Sequence, residues 1–120
     1  MKSKPTYLLS PAAVQNLRDQ KEWSLNQWGH EQTKKYFDTL TKGFDYIAEN
    51  YRRFPARKEL TGNTDFLIYL IRENYVVFQP MKDGRIFIHG ILGQDQDIHN
   101  ILRRSQRLYQ QERSKAGKYG

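Results

Sequence analysis

The sequence predicts an α+β domain in which an N-terminal strand and a helical hairpin pack on a small antiparallel sheet, with a helix at the C-terminal end. Three observations lead there. Two long helical stretches meet at Gly29-His30 with almost no linker. Three β-like runs follow, joined by connections too short for parallel crossovers. A third apolar helical pattern then closes the chain.

Thr6 to Ser10 is a short β-like run. It ends in Ser10-Pro11, a helix start: serine can cap the first free N–H groups, and proline is tolerated at the first helical position. A helix is expected over residues 11–28, with Val14, Leu17, Leu25 and Trp28 at helical spacing, although Lys21 interrupts that stripe. Gly29-His30 breaks it. The second helix, about residues 31–51, places Phe37, Leu40, Phe44, Ile47 and Tyr51 on one face. Pro55 is expected to end it.

Phe66 to Ile71 is apolar on both faces, which predicts a central strand. Tyr75–Gln79 follows after the turn Arg72-Glu73-Asn74. Asp83-Gly84 is a hairpin signal leading into Arg85–Leu92. The three runs form a meander, and the N-terminal strand is expected to join their sheet. Gly93–Asp97 reads as a turn with a helix cap, and Ile98 to about Gln111 as the last helix.

The 120 residues carry 20 Lys+Arg against 13 Asp+Glu, a net charge of +7. Residues 1–102 hold 14 basic and 12 acidic side chains; residues 103–120 hold six basic and one acidic. The expected division is therefore a nearly neutral domain, 1–102, and a basic extension, 103–120. Such a tail either keeps the protein solvated or meets an anionic partner. A dedicated DNA-reading fold usually shows a basic face on its body, which a balanced body argues against. There is no cysteine, so disulfides, Cys-ligated metals and thiol nucleophiles are absent. No apolar run approaches a membrane span, and the first residues lack a signal-type apolar stretch, so a cytoplasmic location is expected.

His30, His89 and His99 do not share the i, i+4 helical spacing of a metal pair, and Asp95 and Asp97 read as caps. No cofactor is expected. Scattered glycines make no phosphate loop, and no nucleophile elbow is present. Arg85, Phe87 and His89 alternate onto one strand face, so a cation and an imidazole are candidates for phosphodiester chemistry, with Arg57, Lys58 and Arg72 as further cations. They serve equally as ordinary residues of a sheet edge.

Three strings, TYLLSPAAVQNL, SLNQWGHEQTKKYFDTL and NYVVFQPMKDGRIFIHGILGQDQDI, occur in the order and spacing of the ParE/RelE toxin superfamily. The chain resembles its ParE branch from Tyr7 to about Ile98. It departs from that pattern at Gln20-Lys21, Gln79, His89 and Gly93, where an apolar-Trp pair, Tyr, Arg and His are frequent. The resemblance implies a toxin that traps DNA gyrase on cleaved DNA, stalling replication. It also implies a ParD-like antitoxin that folds over the toxin, with a higher-order complex as one form. Trp23, Trp28 and Tyr36 are the expected antitoxin contacts, with a core role open for Trp28. Arg103, Arg104 and Arg107 are the expected target contacts. The RelE side of the superfamily implies a ribosome-dependent mRNA endonuclease instead, using Arg85, His89, Arg72 and Lys58. An inactive antitoxin-binding module is a third reading.

Overall fold

The computed structural model describes residues 6–94 and 96–104. Strand β1 (Tyr7–Leu9) leads directly into helix α1 (Pro11–Trp28). Ser10 makes the junction rigid: its Oγ accepts from the Ala13 N–H at 3.0 Å and donates to the His89 carbonyl at 2.7 Å. One side chain thus caps the helix and ties it to the sheet. Gly29 alone separates α1 from α2 (His30–Asn50), at a φ of 87° that favours glycine. A one-residue break therefore suffices where two were expected.

The sheet order is β1-β4-β3-β2, with β2 Leu67–Ile71, β3 Asn74–Pro80 and β4 Ile86–Gly93. The last three strands form the expected antiparallel meander, and β1 joins it parallel to β4. The strand predicted to be central is corrected: β2 is an edge. Its continuous apolar character arises because both faces are covered. Ile71, with the half-buried Leu67 and Tyr69, faces the helical hairpin, while Phe66 and Ile68 face the other side. Leu70 remains exposed.

Leu40, Phe44 and Ile47 of α2 pack on Val76, Phe78, Ile86, Ile88 and Ile91. The opposite face carries Val77 and Leu92 against Ile98 and Leu102, which lie on α4, helical over residues 98–104. Asp97 caps α4, accepting from the Asn100 N–H at 3.3 Å. The expected continuation of α4 to Gln111 lies outside the described residues, as does Asp95. The expected stripe of α1 is also corrected. Its buried residues are Ala13 and Ser24, Val14, Leu17 and Leu25 are only partly buried, and Trp28 is exposed. Small side chains let this helix approach β4, where Asn16 Oδ1 accepts from the Ile91 N–H at 3.0 Å. That bond follows a bulge: Val77 pairs with Gly90 and Phe78 with Ile88, so His89 is the extra residue.

Helix α2 stops at Asn50, before Pro55. Asn50 Nδ2 donates back to the Tyr46 carbonyl at 2.9 Å, and a 3-10 turn, Tyr51–Arg53, follows. Helix α3 (Lys58–Thr61) fills the stretch that had no predicted element, and Gly62 closes it at φ 66°.

Candidate functional site: an aromatic groove

A hollow of about 740 Å³ opens between the helical hairpin and the β2–β3 turn. Trp23 and Trp28 of α1 and Tyr36 of α2 form its apolar wall. The rings meet edge to face, at 5.3 Å between Trp23 and Trp28 and 6.0 Å between Trp28 and Tyr36. Tyr36 in turn meets Phe37 at 5.4 Å, and Phe37 packs on the core. The aromatic series therefore runs from the interior to a surface where Trp23 is 55% and Trp28 46% exposed. Two neighbouring indoles at that exposure are the kind of surface on which an anchored interface is built.

Three polar side chains hold this wall. The Tyr36 hydroxyl donates to Gln20 Oε1 at 3.1 Å, Gln20 Nε2 donates to Asn74 Oδ1 at 3.4 Å, and Asn74 Nδ2 donates to the Tyr36 oxygen. The ring joins α1, α2 and the start of β3. Burial raises the Tyr36 pKa above its usual value, Glu73 raises it further, and Arg72 opposes them, so the hydroxyl stays protonated near neutral pH. The structure thus gathers all three residues predicted to contact an antitoxin. Gln20 and Asn74 were not singled out as site residues. Gln20 had a signal, as one of the departures from the family pattern that the sequence resembles.

The cations and imidazole considered for RNA cleavage are spread out. Arg85 precedes β4 and is paired with Asp83 at 2.7 Å. His89 lies four residues further on, its Nε2–H donating to Gln79 Oε1 at 2.8 Å, with the Phe66 and Phe87 rings each 4.8 Å away. Burial lowers its pKa to about 4, so it is neutral at pH 7. Arg72 occupies the β2–β3 turn at the other end of the β3–β4 ladder from Arg85, about 20 Å away at the usual rise per residue. Lys58 is exposed at the start of α3, and Arg57 pairs with Glu59 at 2.6 Å. Arg103 and Arg104 are exposed on α4, where Arg103 donates to Asn100 Oδ1. Arg107 lies outside the described residues. Among the described residues, no group of three or more His, Asp or Glu could hold a metal, and no helix is long and apolar enough to cross a membrane.

A family model described as the ParE toxin of the type II toxin–antitoxin system parDE matches residues 7–98. The chain belongs to the ParE toxin family. A solved structure titled a chromosomal ParDE TA system from P. aeruginosa is similar, with a TM-score of 0.62. The alignment covers 73% of this chain and 94% of that one at 12% identity, so the likeness is one of fold. No curated protein matches the chain.

Proposed function

We propose that this ParE-family toxin binds DNA gyrase and blocks replication, and that a ParD-like antitoxin neutralises it by seating on the Trp23–Trp28–Tyr36 groove. The observation that carries the antitoxin half is the groove itself: two half-exposed tryptophans on a frame tied by the Gln20–Tyr36–Asn74 ring. Burying such rings supplies most of the binding energy of an anchored interface. Family membership over residues 7–98 supports the toxin role. In this reading residues 1–102 form the toxin domain, and Arg103, Arg104 and Arg107 of the basic extension meet acidic gyrase surface or DNA phosphates. Gyrase is cytoplasmic, so the toxin acts there.

The surroundings of His89 favour docking over RNA cleavage. An imidazole with a pKa near 4, bonded to Gln79 and flanked by two phenylalanines, is a weak general base at neutral pH. Arg85, the candidate cation just before the strand, is engaged by Asp83. Regulated expression in a bacterium tests the reading. Filamentation and a DNA-damage response are expected, both suppressed by co-expressing a cognate ParD-like antitoxin. Prompt arrest of translation with intact DNA would overturn it.

A further inference from the structure

Among the described residues, Arg72 is the residue other than glycine with a positive φ, 55°. It is the first of two residues in the β2–β3 turn, since Ile71 pairs with Asn74. Glycine suits such a position, because a Cβ there crowds the backbone. Backbone strain kept at a surface turn points to a use outside folding. Arg72 also makes no ion pair among the described residues, where the pairs formed are Arg57–Glu59 and Arg85–Asp83. Its side chain borders, with Lys35, a hollow of about 310 Å³ that shares Trp28, Tyr36 and Glu73 with the aromatic groove. The smaller hollow therefore carries two cations, Arg72 and Lys35, against one carboxylate, Glu73, and the aromatic groove adds Asp19.

We infer that Arg72 is the specificity anchor of this groove, taking a carboxylate from an amphipathic antitoxin segment whose apolar side chains lie across Trp23, Trp28 and Tyr36. The inference rests on the groove being the antitoxin surface. A guanidinium can grip a carboxylate through two parallel N–H donors, which fixes register as well as adding attraction. Covering the tryptophans excludes water beside that pair and strengthens it. A nucleic-acid occupant fits poorly: its evenly charged backbone would meet both Glu73 and Asp19, whereas a single carboxylate beside Arg72 and Lys35 meets two cations against the one charge of Glu73. A peptide that pairs an acidic side chain with Arg72 and turns a basic one toward Asp19 meets both charges.

The test measures the affinity of the full chain for its cognate ParD-like antitoxin, using Arg72→Gly and Arg72→Gln. Glycine relieves the strained backbone, so Arg72→Gly is expected to melt no lower than the parent, whereas glutamine keeps the strain and a polar, shorter side chain without charge. Both variants are expected to lose about tenfold or more in affinity, with a weaker salt dependence than the parent. Overlapping 15-residue peptides of the antitoxin locate the partner residue: replacing its Asp or Glu by Asn or Gln should cost the parent affinity and leave Arg72→Gln unaffected. Unchanged affinity in both variants, with the parent binding tightly, overturns the inference and leaves the groove reading standing. Loss of parental binding to a single-stranded oligonucleotide in those variants, with antitoxin binding intact, overturns it in favour of nucleic acid. An antitoxin that fails to bind the parent removes the groove reading and the inference together.

Discussion

Replacing Tyr36 by Phe removes one oxygen and leaves every ring contact of the groove in place. That oxygen donates to Gln20 and accepts from Asn74, in a half-buried position that links both helices to the sheet. Two hydrogen bonds at about 0.5–1.5 kcal/mol each, with partners that water can partly reach, give an expected loss of about 1–2 kcal/mol. Urea unfolding followed by circular dichroism reads it as a lower midpoint at unchanged slope. The ring also predicts non-additivity. Combined with Asn74→Ala, the double variant should be more stable than the summed single effects imply, by about 0.5 kcal/mol or more. A Tyr36→Phe cost under about 0.3 kcal/mol, or strict additivity, would refute the view that this ring fixes the aromatic wall.

Other consequences follow from the same geometry. Ser10→Ala removes a helix cap and the bond to the His89 carbonyl, and should lower stability by about 1–2 kcal/mol in the same unfolding assay. Gly62→Ala places a Cβ at φ 66° and against the His99 ring; a loss of about 1–2 kcal/mol is expected, with a lower melting temperature. His89 binds a proton less readily when folded, with a pKa of about 4 against its ordinary 6.5. The unfolded chain therefore takes up the proton first as pH falls, and stability from this residue is full above about 6.5 and declines toward 4. Unfolding at stepped pH should show that decline, and His89→Gln should flatten it.

Local punctuation made the helical hairpin legible. Ser10-Pro11 and Gly29 act through single-residue chemistry, so α1 ends where the sequence says it must. The meander was legible because short connections leave antiparallel pairing as the choice. The place of β2 was not. Its apolar run reports coverage of both faces, and α4 gives an edge strand the same composition as a central one. Helix α3 has four residues, too few for periodicity to register. At the groove, the tryptophans could be named from sequence, but Trp28 also fitted the apolar stripe of α1. Its exposure arises because Ala13 and Ser24, not the large residues, form the buried seam. The role of Arg72 was hidden because a turn of this kind is expected to carry glycine or asparagine, and arginine carries no such signal.

In the function proposed above, this toxin works by occupying a large enzyme, with no reaction centre of its own. Purified chain incubated with DNA gyrase, ATP and plasmid tests that most directly. The predicted result is loss of supercoiling with linear plasmid released on detergent and protease treatment, abolished by equimolar antitoxin. Undisturbed supercoiling, together with transcript cutting when the same sample is added to translating ribosomes, would contradict it.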